Sequence, residues 1–117
     1  MSSYKIAVPT TSDRGLRDVV SEIFARAPTF TIVEVIDGEV KNVIVEENPA
    51  SGLKQGSGPI VAKTLKEKGV NIVVSGELGP GASTLLEMSG IRMIRVDPGV
   101  KVSKAVEKAL VEIKSVN

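Results

Sequence analysis

The run Val70-Asn-Ile-Val-Val-Ser75 constrains this chain more than any other segment. It is too short for a buried helix and too evenly apolar for a strand with one wet face. It therefore reads as a central strand covered on both sides. Such strands belong to α/β sheets with helices above and below, and the flanking sequence supplies those helices. Gly69 can close a helix over residues 60–68 in the left-handed conformation, and Pro59 can sit in its first turn, where a missing N–H is harmless. Beyond the strand, a helix is expected over residues 82–89, stopped by Gly90. A further apolar strand over 91–96 and a turn at Asp97-Pro98-Gly99 follow. The chain closes with an amphipathic helix. Val102, Val106, Ala109, Leu110 and Ile113 share one stripe, while Lys101, Lys104, Glu107, Lys108 and Glu112 fall mostly elsewhere.

The first half supplies the rest of a sheet. Tyr4-Lys-Ile-Ala-Val-Pro9 is a short apolar strand stopped by proline. Leu16, Val20, Ile23 and Phe24 recur at helical spacing with Asp18 and Glu22 expected outward, which predicts a short helix or turn ending near Ala27-Pro28. Residues 29–36 and 39–46 are rich in Val, Ile and Thr. Asp37-Gly38 between them has the chemistry of a type I′ turn, so the pair reads as a hairpin. Asn48-Pro-Ala-Ser-Gly52 is a loop by its turn residues. Right-handed crossovers then place the first, fourth and fifth strands parallel, with the hairpin extending one edge. The predicted fold is α/β and ribonuclease H-like: a five-stranded mixed sheet with an antiparallel hairpin edge and helices on both faces. The 117 residues, 42% of them hydrophobic, fit one domain spanning 1–117.

Two glycine loops stand ahead of the helical patterns, Gln55-Gly-Ser-Gly-Pro59 and Gly76-Glu-Leu-Gly-Pro-Gly-Ala82. The first turn of a helix leaves amides unpaired at the positive end of a dipole, and glycine lets a ligand approach them closely. Two readings of each loop stand. It is either a tight connection, in which glycines such as Gly79 and Gly81 supply unusual backbone angles, or an anion cradle. Neither loop carries the lysine and hydroxyl residue of a P-loop, and neither has the dinucleotide fingerprint. Arg14, Arg17 and Arg26 flank the first short helix, and arginines in such positions are ordinarily surface charge. Arg26 is singled out because Phe24-Ala-Arg-Ala-Pro-Thr-Phe30 surrounds it with apolar residues able to fix the backbone. Lys54 is a weaker candidate, and Glu77 a lone loop carboxylate.

Composition removes several classes of chemistry. The chain has no cysteine and no histidine, so thiol nucleophiles, thiolate and imidazole ligands and the usual neutral-pH base are excluded. Its 15 basic and 14 acidic residues leave a net charge of +1, which gives no global field toward nucleic acid or an anionic membrane. Tyr4, Phe24 and Phe30 are too few to form a base-stacking platform. Apolar runs reach about six residues, against the roughly 20 that a membrane span needs. The start Met1-Ser-Ser-Tyr leads straight into a strand, and the expected setting is cytoplasmic. A two-magnesium nuclease needs acidic residues on the first strand and at the end of the central one. Here those positions read Lys5-Ile-Ala-Val and Val73-Val-Ser-Gly76.

Taken in order, Lys5-Ile-Ala-Val-Pro9, Phe24-Ala-Arg-Ala-Pro-Thr-Phe30, Asn48-Pro49, Gln55-Gly-Ser-Gly-Pro59 and Gly79-Pro-Gly-Ala82 resemble the signature of the dinitrogenase iron-molybdenum cofactor biosynthesis family. The resemblance covers nearly the whole chain. It implies a small ribonuclease H-like domain that binds the iron-molybdenum cofactor or its iron-sulfur precursor and carries it between assembly proteins, without catalysis. Gln55 stands where the family often has histidine, Ala25 where it often has glycine, and Gly81 where it often has asparagine. The missing histidine removes the direct ligand and leaves loop amides and a guanidinium around an anionic cluster or another small anion. The expected binding residues are Arg26, Gln55, Gly56, Ser57, Gly58, Gly76, Gly79 and Gly81, with no catalytic residue and no direct metal ligand. The alternative is a metal-free adaptor or regulatory domain that recognises a cluster-assembly protein.

Overall fold

Side-chain alternation along the strands sets the layers. A computed structural model describes residues 3–53, 56–76 and 78–115. In it β1 (Ser3–Thr10), β2 (Thr29–Ile36), β3 (Glu39–Glu47), β4 (Ile72–Ser75) and β5 (Arg92–Arg95) form one sheet in the order β3-β2-β1-β4-β5. β1 runs parallel to β4, and β4 to β5. β1 and β2 are antiparallel, as are β2 and β3. The result is an α/β fold with a five-stranded mixed sheet and an antiparallel hairpin edge.

Period-two alternation sends Ile6 and Val8 of β1, Val33 and Val35 of β2, and Ile72 and Val74 of β4 to one face. There they pack under Val102, Ala105, Val106, Ala109 and Ile113 of α3 (Val102–Ser115). Ala7, Phe30, Ile32 and Val73 point the other way, against Val61, Ala62 and Leu65 of α1 (Ser57–Glu67) and Leu86 of α2 (Pro80–Met88). Every buried β4 residue thus meets a helix or a neighbouring strand, as its apolar sequence demands.

The turns follow from local chemistry. Asp37 and Gly38 have φ of 52° and 83°, the two positive values a type I′ hairpin requires. Each of the first two helices ends on a left-handed glycine. At α1 the Gly69 amide donates to the Lys66 carbonyl and the Val70 amide to that of Leu65, both at 3.0 Å. At α2 Gly90 and Ile91 repeat the arrangement on Glu87 and Leu86. These paired bonds satisfy carbonyls that a helix end otherwise leaves open. The observed helices begin at Ser57 and Pro80, two to three residues ahead of the predicted starts, because the first turns take in the glycine loops themselves.

The segment after β1 departs from expectation. Only Gly15–Arg17 forms a helical turn, of the 3-10 type, and the rest up to β2 is irregular. Val20 and Phe24 are buried as the spacing implied, but Ile23 is 51% exposed, and Asp18, expected outward, is fully buried. The cause is the Asp18 carboxylate. It accepts the Thr11 and Ser12 hydroxyls at 2.8 and 2.9 Å, and the Ser12, Arg14 and Val19 amides at 2.9, 3.4 and 2.8 Å. A short carboxylate that gathers nearby donors competes with helical bonding. Tertiary bonds complete the diversion: Val20 N–H donates to the Val100 carbonyl, Gly99 N–H to that of Val20, and Ser21 N–H to that of Pro9.

Candidate functional site

All the loops named above as candidates lie at one end of the sheet. β1, β4 and β5 are parallel and finish there, β2 starts there, and β3 runs back to it. Open α/β sheets bind ligands at this end. α1 and α2 both begin at it and share a face, so their first turns open toward the same side of the molecule.

Those first turns are built alike. α1 starts from Gly56, whose φ of 76° is left-handed. Pro59 is its third residue, so Ser57 and Gly58 carry the unpaired amides. α2 starts from Gly79 with Pro80 as its first residue, so Gly81 and Ala82 carry them. Neither helix has a side-chain cap or an acidic residue in its first turn. Among the described residues, four donors at two dipole ends are thereby left for another partner.

The glycines divide by what requires them. Gly56 is needed for its backbone angle. Gly76 is buried, and a Cβ on it would meet Pro98 Cγ at 3.2 Å, so its absence lets the turn after β5 pack down. Gly58, Gly79 and Gly81 have no positive φ, and a Cβ on any of them would meet nothing within 4 Å. The notion that Gly79 and Gly81 supply unusual backbone angles is therefore set aside. What these three glycines provide is open space over the free amides.

Arg26 occupies the tip of a turn in which the Ala27 amide donates to the Phe24 carbonyl at 3.2 Å. Phe24 and Phe30 pack edge to face below it, with ring centroids 5.5 Å apart and planes at 73°. Asn48, 4% exposed, ties this turn to the approach of α1. Its Nδ2 donates to the carbonyls of Ala25 and Ala27, both at 2.9 Å, and its Oδ1 accepts the Ala50 amide at 2.9 Å. The turn is thus fixed as the flanking apolar residues implied. The guanidinium itself is exposed and makes no ion pair among the described residues. Asn48 was legible only as part of an Asn-Pro turn, and its bridging role needs the tertiary fold. Gln55, Lys54 and Glu77 lie outside the described residues.

Arg14 is a positioning charge, with Nε donating to Ser12 Oγ at 3.1 Å and Nη2 3.5 Å from Asp18 Oδ1. Burial pushes the Asp18 carboxyl up. The hydrogen bonds from Thr11, Val19 and Ser12 outweigh that effect and hold it well below the usual carboxylate range. Asp18 is thus a fixed anion that organises the loop. Among the described residues no group of three or more carboxylates is placed to hold a metal ion, and no helix is long and apolar enough to cross a membrane.

A cleft of about 340 Å³ opens between α2 and the ends of β4 and β5. Ser75, Gly76, Leu78, Ser83, Met93 and Arg95 are among the residues that line it. Only Gly76 of these was expected at a site. The others carry no local signal, since a serine closing a strand and an arginine on an edge strand are ordinary.

The family model for dinitrogenase iron-molybdenum cofactor proteins matches residues 4–112. The chain belongs to the dinitrogenase iron-molybdenum cofactor family. Other proteins are similar to it in sequence or in shape. An uncharacterised protein of Methanocaldococcus jannaschii is 32% identical over 93 residues, which is 80% of this chain and 75% of that protein. The apo form of the orange protein of Desulfovibrio gigas superposes with a TM-score of 0.80 at 28% identity, over 92% of this chain and 88% of that one. A Thermotoga protein described as NifB-like, of the DUF35 family, gives a TM-score of 0.73 at 32% identity, over 93% and 88% of the two chains. Family membership agrees with the ordered motifs, two of which contribute the first turns of α1 and α2.

Proposed function

We propose that this protein is a non-enzymatic carrier for an anionic iron-molybdenum cofactor or its iron-sulfur precursor, working in the cytoplasm. The observation that carries the reading is the pair of first turns without a side-chain cap, with four amides that have no partner among the described residues and three glycines that leave room above them. Arg26, held at its turn by Asn48, adds a cation at the same end of the sheet. Family membership supports a metal-cofactor cargo. The side chains do not fit direct ligation of iron or molybdenum, since the chain has neither cysteine nor histidine. The reading is therefore of a cluster held through its outer atoms by amides, hydroxyls and a guanidinium. We further read the sheet order as the ribonuclease H-like arrangement, without the acidic pair of a nuclease and without nucleic acid as a partner.

Anaerobic incubation with isolated cofactor or precursor, followed by gel filtration and metal analysis, tests the carrier. Iron should co-elute with the protein, and Arg26→Gln should retain less. Absence of iron from the protein peak overturns the reading. The lack of any soft ligand favours a second reading, a metal-free adaptor that recognises a cluster-assembly protein. Capture of such a protein from metal-free lysate supports that adaptor, and capture that requires added metal counts against it.

A further inference from the structure

The candidate edge has two halves, and the half away from Arg26 contains an unusual serine. Ser75 is 3% exposed, and its hydroxyl has no hydrogen-bond partner among the described residues. A serine at that depth is normally satisfied. Among the described residues, no fully covered side-chain nitrogen or oxygen lacks a partner. The Ser75 Oγ must therefore reach the open cleft that the residue lines.

Strand register gives the cleft its polarity. Ser75 pairs with Arg95 and Val73 with Met93, so all four point to the α2 side of the sheet. The Ser75 and Arg95 pair lies at the rim and the Val73 and Met93 pair one step deeper, joined by Leu78. Ser83 lines the cleft from α2, immediately after the free amides of Gly81 and Ala82. Among the described residues, then, the polar side chains lining the cleft are two serines and an arginine, with the first turn of α2 next to Ser83 in sequence, and no carboxylate lines it. The interior is apolar. Its volume of about 340 Å³ lies in the range of small-molecule sites, and a bare tetrahedral ion would leave the apolar part uncovered.

We propose that this cleft binds a small molecule with a compact anionic head, phosphate or carboxylate, on a short apolar body. The head sits between Ser75, Ser83, Arg95 and the Gly81 and Ala82 amides, and the body covers Val73, Leu78 and Met93. The inference rests on the reading of this loop edge as an anion site, and it places an organic anion on the α2 half.

The test is an amide NMR titration of the full chain with phenyl phosphate, benzoate and inorganic phosphate. One of the two aromatic probes should shift the Gly76, Gly81 and Ala82 amides saturably, and the better one identifies the head. Inorganic phosphate should bind about tenfold more weakly, for want of an apolar body. Ser75→Ala and Arg95→Gln should each weaken the aromatic probe about tenfold. Ser83→Ala, on a helix surface that tolerates alanine, should also weaken it and guards against a folding defect in the buried variant. No saturable shift at these amides, equal binding of inorganic phosphate, or undiminished binding by the Ser83 and Arg95 variants overturns the proposal. The probes contain no metal. Their failure leaves the carrier to its own cluster experiment, and failure of cluster retention leaves a positive titration standing.

Discussion

Two side chains organise the site loops without touching any proposed ligand. Asn48 supplies three bonds that join the Arg26 turn to the approach of α1, two of them to the Ala25 and Ala27 carbonyls. Asn48→Ala removes all three and strands polar backbone in a buried place, so a loss of about 2–4 kcal/mol is expected. Chemical denaturation measures that loss, and a midpoint equal to wild type would contradict the bridging role. Asp18 gives the second prediction. Its folded-state pKa is depressed, so its contribution is complete above the ordinary carboxylate value of about 3.9 and fades as pH falls toward the folded value. Wild type should therefore lose stability below about pH 4. Asp18→Asn should be less stable at neutral pH by about 2–4 kcal/mol and show a flatter acid limb. Parallel acid limbs in the two proteins would show that other carboxylates govern the transition. Neither role was legible beforehand: the two carbonyls that Asn48 bonds are brought near only by the fold, and the local donors of Asp18 carry no pattern that marks a buried carboxylate. Asp18 in particular follows the outward positions of a helical pattern that its own bonding disrupts.

Elements were more legible than the segments that join them. Apolar β4 predicted helices on both faces, Asp37-Gly38 fixed the hairpin, and Gly69 and Gly90 marked two helix ends, since each signal acts over a few residues. The short helix or turn expected from Leu16 to near Ala27-Pro28 is reduced to the Gly15–Arg17 turn, because the Val19, Val20 and Ser21 amides bond to Asp18, Val100 and Pro9, partners outside any helical period. The helix starts carry a sharper test. In the first turns of α1 and α2, Gly58 and Gly81 have helical angles and empty surroundings, so alanine should fit and stabilise each helix by about 0.5–1 kcal/mol. The same methyl group would stand over the free amides and weaken anion binding. Gly58→Ala and Gly81→Ala should thus raise the melting temperature and lower affinity together. Gly76→Ala should lower both, because its methyl meets Pro98. A stabilised Gly81→Ala protein that binds as tightly as wild type would remove the reason to regard this glycine as part of a cradle.

At the scale of the whole molecule, the sheet separates support from recognition. One face is covered by α3 through Val102, Ala105, Val106, Ala109 and Ile113, and neither glycine loop begins or ends on that helix. The other face carries α1 and α2, whose packing through Val61, Leu65 and Leu86 sets where their first turns stand. A core defect should consequently have different effects on the two sides. Val106→Ala, buried under α3, should cost about 1–3 kcal/mol through lost burial and residual space. Its affinity for an anion should stay within about twofold of wild type while the protein remains folded, since no free amide moves with it. Leu86→Ala lies on the α2 face, should cost about 2–5 kcal/mol, and should also loosen the helix that presents the Gly81 and Ala82 amides. Binding measured well below each variant's unfolding transition separates the two effects. Equal affinities for the two variants would mean that α2 is held at its N-terminus by the chain around Gly76 and Pro98, independently of its core contact.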